Sequence, residues 1–224
     1  MKNKITQTKH KLSPSKLSLF KDCKRYFWLQ ENLRIRRPSS IFPSLPGGVD
    51  RVLKTYFDTF RFEDELPPEI NELSDCKLFT KKEVLDRWRN NWQGIRWTNP
   101  EGHLFRGAVD EILVKNKELV VLDYKTRGAL PKDETVGYYQ HQLDSYAFLL
   151  DKEGFDVSDT AYLLFYSPKE AFEGGCIDFN TTLVSVKVDP VRALILFNNA
   201  IECLNDSIPS EGCAFCNHHK GVAK

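Results

Sequence analysis

Several large protein classes are excluded by what the sequence does not contain. No apolar run is long enough to span a membrane, and no apolar core follows the N-terminal lysines as it would in a secretory signal. The expectation is a soluble, cytoplasmic protein that does not engage membranes. Six cysteines in 224 residues are too sparse for a disulfide scaffold. They are expected instead as core residues, metal ligands or redox centres. There is no phosphate-cradling glycine loop, no HExxH pair and no nucleophile elbow, so several other enzyme classes have no support. Internal repeats and low-complexity tracts are missing too. Net charge is only +1.

What is present is enough for a packed core: 41% hydrophobic and 12% aromatic residues in a chain the length of one ordinary domain. Residues 1–224 are therefore expected to form a single domain, with 1–12 as a flexible basic tail. The charge is unevenly spread. Residues 1–37 hold eleven Lys or Arg against Asp22 and Glu31, so this segment carries +9 and the rest −8. A basic segment of this kind suits contact with phosphates.

The richest stretch is Arg106–Lys125, RGAVDEILVKNKELVVLDYK. Leu104 to Val114 reads as a strand, Lys115-Asn116-Lys117 as a turn, and Leu119 to Tyr124 as a second strand. Twelve residues separate Asp110 from Asp123, and Lys125 follows two positions later. Asp123 and Lys125 leave the same face of their strand, and a hairpin register brings Asp110 to them. Two carboxylates and an ammonium then face one point. Hard divalent cations take such oxygen ligands. An adjacent lysine can orient water or offset phosphate charge. On spacing alone a weak surface ion pair is an equal alternative.

Around this hairpin the chain reads as helices and further strands. Ser13-Pro14-Ser15 starts a helix through Phe27 and Trp28, with Cys23 inside it. Residues 38–46 read as an extended connection. Gly47-Gly48 opens an amphipathic helix with Val49, Leu53, Tyr56, Phe57 and Phe60 on its stripe and Asp50 in its first turn. Asp50 reads either as a dipole-favoured acid or as a third metal-facing carboxylate. Residues 61–79 read as a surface excursion. Thr80-Lys81-Lys82-Glu83 reads as a capping box for a helix bearing Val84, Leu85, Trp88 and Trp92. A helix from about Thr135 carries Tyr139, Gln142, Leu143, Tyr146 and Leu150. Gln142 and Tyr146 share one of its faces. Strands follow at Ala161–Ser167 and Leu183–Val188, then a helix capped by Asp189-Pro190. The C-terminal stretch contains Cys213, Cys216, His218 and His219.

Gly107-x-x-Asp110, then Asp123-Tyr124-Lys125, then Gln142-x-x-x-Tyr146 on a helix resembles the PD-(D/E)xK nuclease superfamily. It is most similar to the RecB-like branch, with its iron–sulfur exonucleases and CRISPR-adaptation nucleases. The resemblance covers Ser13 to Cys216. It implies an α/β fold with a central mixed β-sheet flanked by helices, the restriction-endonuclease-like core. It also implies a metal-dependent nuclease that hydrolyses phosphodiester bonds of DNA, in the exonuclease manner. Asp110, Asp123 and the Tyr124 backbone carbonyl would bind Mg2+ or Mn2+. Lys125 would position the attacking water, and Gln142 and Tyr146 would support the site or touch nucleic acid. Asp50 stands where the family commonly has His or Glu. An inactive nucleic-acid-binding or assembly subunit with the same fold is the alternative. Cys23, Cys213 and Cys216 match three of the four cysteines of the iron–sulfur relatives. No cysteine follows Cys216, so an iron–sulfur cluster, a Zn2+ site completed by His218 or His219, and a metal-free clasp are all open. DNA repair, recombination, phage biology and defence are equally open as pathways.

Overall fold

The computed structural model describes residues 9–36 and 44–217. It is an α/β fold whose main sheet has five strands, ordered β2-β5-β6-β7-β8. These strands are β2 (Lys77–Leu78), β5 (Glu111–Lys115), β6 (Glu118–Thr126), β7 (Thr160–Ala171) and β8 (Ile177–Lys187). Only the β6–β7 pair is parallel, so the sheet is mixed. A three-stranded sheet joins β1 (Lys11–Leu12), β4 (Leu104–Gly107) and β3 (Ile95–Thr98). The helices are α1 (Pro14–Asp22), α2 (Lys24–Leu33), α3 (Ser44–Glu63), α4 (Lys82–Arg89), α5 (Thr135–Lys152), α6 (Pro190–Asn205) and the short α7 (Ala214–Asn217).

Strand β6 organises the core because its residues are buried from Leu119 to Tyr124. A strand covered on both faces needs an unbroken apolar run, and Leu119-Val-Val-Leu122 supplies it. Side-chain alternation then splits the core in two. Val121 joins Phe148, Leu163, Phe165 and Phe197 on the α5–α6 side. Leu122 and Tyr124 join Leu53, Phe57 and Leu164 on the α3 side. Truncating a ring such as Phe57, fully buried here, costs about 3–5 kcal/mol. The β5–β6 turn has positive φ at Asn116 and Lys117, 49° and 75°. That is the geometry of a two-residue hairpin turn whose twist matches the strands.

Several local readings change. The single strand expected over 104–114 is two strands in different sheets, interrupted at Ala108–Asp110. The first helix breaks at Cys23, whose extended backbone ends α1 and whose sulfur caps α2 by accepting from the Tyr26 N–H. Of the tail expected over 1–12, residues 1–8 lie outside the described residues. Lys11 and Leu12 pair with β4, with Leu12 buried. The connection expected over 38–46 is likewise undescribed up to residue 43. Beyond that, α3 begins at Ser44, which places Asp50 past its first turn. Residues 61–79 are no mere excursion, since Ile70, Leu73, Cys76 and Leu78 enter the α3-side core. The capping box does not form: Lys81 is the α4 N-cap and no side chain caps it. Helix α4 stops at Arg89, leaving Trp92 in a turn.

Candidate active site

The β5–β6 ladder ends at Glu111 opposite Leu122. One further step of that register sets Asp110 beside Asp123. Asp110 lies in the break before β5, where its Oδ2 accepts from the Tyr124 backbone N–H at 3.2 Å. Its carbonyl oxygen accepts from Arg89 Nε at 2.8 Å. Both the side chain and the backbone of Asp110 are therefore pinned. Glycine at 107 has a packing cause: a Cβ there would meet Tyr146 Cε1 at 2.9 Å and Leu149 Cδ1 at 3.0 Å.

Asp123 and Lys125 leave the α5 face of β6. Asp123 is only 1% exposed. Its Oδ1 accepts from Gln142 Nε2 at 3.2 Å, and the same amide donates to the Tyr146 hydroxyl at 2.7 Å. Its Oδ2 is buried and makes no directional hydrogen bond, lying against the Lys125 ammonium as an ion contact. Lys125 also sits 4.8 Å from the centroid of the Tyr139 ring.

Asp50 reaches the site from α3 by way of a residue the sequence reading missed. Lys54, one turn on, places Nζ 2.9 Å from Asp50 Oδ2 and 2.8 Å from Asp110 Oδ1. Its signal was the four-residue spacing from Asp50, which on a helix usually marks an ordinary surface pair. Glu111 was also missed. Fully buried beside Asp110, it accepts from Arg61 Nη2 at 2.5 Å, Arg89 Nη2 at 2.7 Å and the Tyr124 hydroxyl at 3.3 Å. Arg89 also pairs with Asp58 at 2.8 Å. An acid inside an apolar strand was the available signal, since such groups are buried only when paired.

Charge in the site is out of balance. Among the described residues, Asp50, Asp110 and Asp123 form ion pairs with Lys54 and Lys125. Burial pushes the Asp123 carboxyl up to about 7, against the pull of Lys125 and with the help of the Asp110 charge. Burial also disfavours an Asp110 anion, but Lys54 and Lys125 outweigh it and hold that carboxyl below its ordinary value. Asp50 is raised, by burial and then by Asp110. Burial opposes the Lys125 ammonium, yet Asp123 and Asp110 raise its pKa. A divalent cation suits this donor set: carboxylate oxygens from three acids, the buried Asp123 among them, against two lysines.

A second cluster lies between the N-terminal helices and α7. Cys23 Sγ is 3.7 Å from Cys216 Sγ, and Cys213 Sγ is 3.8 Å from Cys216 Sγ. All three sulfurs lie within 4.8 Å of one another, which is close enough to share a metal ion. A Cβ on Gly212 would stand 2.7 Å from Cys216 Cβ, so only glycine allows this approach. His218 and His219 lie outside the described residues. Cys76 is buried in the α3-side core, Cys176 is exposed and Cys203 is partly buried.

A sequence profile of the PD-(D/E)XK nuclease superfamily matches residues 11–219. No curated protein matches the chain. No helix among the described residues is long and apolar enough to cross a membrane.

Proposed function

The chain belongs to the PD-(D/E)XK nuclease superfamily, and we propose that it cleaves DNA at a site built from Asp110, Asp123 and Lys125. The observation that carries this reading is the convergence of Asp110 and Asp123 across one register step, with Lys125 in contact with Asp123. Asp110, Asp123 and the Tyr124 carbonyl would hold Mg2+ or Mn2+, with Asp50 as an outer carboxylate. When bound, that ion supplies Lewis-acid stabilisation of phosphate charge and a more acidic water.

The remaining work falls to this chain's own groups. Lys125 offers an ammonium beside the carboxylates, able to orient the attacking water and offset charge on the phosphate. Gln142 fixes Asp123 through Oδ1, while Oδ2 meets the Lys125 ammonium. Tyr146 fixes Gln142 in turn, so both act as positioning residues. Arg89 and Glu111 hold the Asp110 backbone in place. Membership of the RecB-like branch, with exonuclease action, rests on the Gln142–Tyr146 pair and the three cysteines. Those cysteines would carry Zn2+ or an iron–sulfur cluster as a brace between the two ends of the chain. The two cores share β6 and its neighbours, which supports reading residues 1–224 as one domain.

The experiment is incubation of purified protein with labelled single- and double-stranded DNA and RNA, with and without Mn2+. Cleavage of DNA should require the ion and should fall below about 1% of the parent rate in Asp123→Ala and Lys125→Ala. Undiminished cutting by folded Asp123→Ala would refute the site. One observation favours the alternative, a binding or assembly subunit without activity: Lys54 occupies oxygens of both Asp50 and Asp110 that a cation would use. For that subunit, Mn2+ titration would show no carboxylate-dependent binding.

A further inference from the structure

We propose that Trp92 and the cleft beside it form a stacking platform that feeds single-stranded DNA towards the carboxylates, an inference that rests on the nuclease reading above. The Trp92 side chain is 79% exposed. The turn that carries it is nonetheless well tied. Asn90 Oδ1 accepts from the backbone N–H groups of Trp92 at 2.8 Å and Gln93 at 3.0 Å. Arg96 Nη2 and, at 3.1 Å, Arg106 Nη1 both donate to the Trp92 carbonyl. Among the described residues neither guanidinium pairs with a carboxylate; carbonyl oxygens alone receive their bonds. Two guanidinium groups are thus held at the backbone of the residue that carries the open indole, with no carboxylate partner among the described residues.

A cleft of about 170 Å³ lies beside this turn, with Asn91 and Gly94 from either side of Trp92 and then Ser13, Ser15, Arg106 and Tyr146 in its lining. Tyr146 is the far wall, and it accepts from the Gln142 amide that also holds Asp123. Tyr146 and Gln142 therefore connect the cleft wall to Asp123. Hydroxyls, an amide and a guanidinium are the groups that bind sugar and phosphate. An indole offers a face to an unpaired base, and base–aromatic stacking tolerates any sequence. Bases stacked inside a duplex present no such face, so the occupant is a single strand.

The test is fluorescence anisotropy with full-length protein, in EDTA so that no cleavage occurs, on labelled oligothymidylate of about 20 nucleotides and on duplex of the same length. Trp92→Ala should bind the single strand about tenfold more weakly, with duplex binding and melting temperature unchanged. Trp92→Phe should retain most of the affinity, because a ring face remains. Unchanged single-strand affinity, equal loss on both substrates, or no single-strand binding by the parent would each overturn the platform. Tighter binding of oligouridylate than of oligothymidylate would overturn the assignment to DNA. Binding is read without metal, so the platform stands or falls apart from whether Asp123→Ala still cuts.

Discussion

Replacing Glu111 by Ala strips the shared acid from a buried charge cluster. Glu111 is 0% exposed, and it is bonded to Arg61 at 2.5 Å and Arg89 at 2.7 Å. The side chains of those two arginines are only 5% and 8% exposed. Asp58 remains as a partner for both, at 3.2 Å and 2.8 Å, but it is itself 22% exposed. One guanidinium charge is thereby stranded, and a stranded buried charge costs about 3–5 kcal/mol. For a chain of this size each kcal/mol lowers the melting temperature by about 2 °C, so a drop of about 6–10 °C is expected. Differential scanning fluorimetry reads it directly. Arg61→Met added to Glu111→Leu removes one stranded charge and should recover part of the loss, as a double-mutant cycle would show. A Glu111→Ala protein melting within about 2 °C of the parent would refute the view that this cluster anchors Asp110.

Three other outcomes are expected. The Asp123 carboxyl, pushed up to about 7 by burial with Asp110 adding and Lys125 opposing, keeps a proton in the folded metal-free protein that the unfolded chain has already released. It therefore favours folding at low pH, an advantage lost as pH rises through about 7. A cation displaces that proton, so calorimetric Mn2+ affinity should be about tenfold weaker at pH 6 than at pH 8; pH-independent binding would contradict it. Gly107→Ala drives a methyl group to 2.9 Å from the Tyr146 ring. That should cost about 1–3 kcal/mol in melting experiments and slow cleavage by moving the Tyr146–Gln142 pair. Cys216→Ser should lose bound zinc or iron by elemental analysis while Cys176→Ser, at an exposed position, keeps it. A parent protein containing neither metal would leave the three thiols as a packing contact.

The hairpin was legible because its signals are local. An apolar run of four residues, a turn sequence and alternation along β6 fix which face Asp123 and Lys125 share. Helices α5 and α6 were equally plain from their stripes, and the Asp189 cap is present as read, accepting from the Val191 N–H at 2.8 Å. The reading failed where side-chain bonds to the backbone override the apolar pattern. Val84, Leu85, Trp88 and Trp92 looked like one stripe, but Asn90 follows the helix and its side chain accepts from the backbone N–H groups of Trp92 and Gln93, making a turn there. Leu104 to Val114 looked like one strand, but the bonds to Arg89 and Tyr124 hold Asp110 out of the ladder.

The class of fold came from the family resemblance that the site residues carry, while from spacing and periodicity came the pairing of β5 with β6 and the identity of two acids and one lysine worth testing. These depend on contacts a few residues long, and such contacts leave a trace in residue order. The meeting of Cys23, Cys213 and Cys216 was already expected from the resemblance. Only the folded chain decided that Lys54 bridges Asp50 and Asp110 and that Glu111 gathers two arginines. Those are encounters between segments far apart in sequence. Their energies come from burial and from charge in a low dielectric, which no spacing rule encodes.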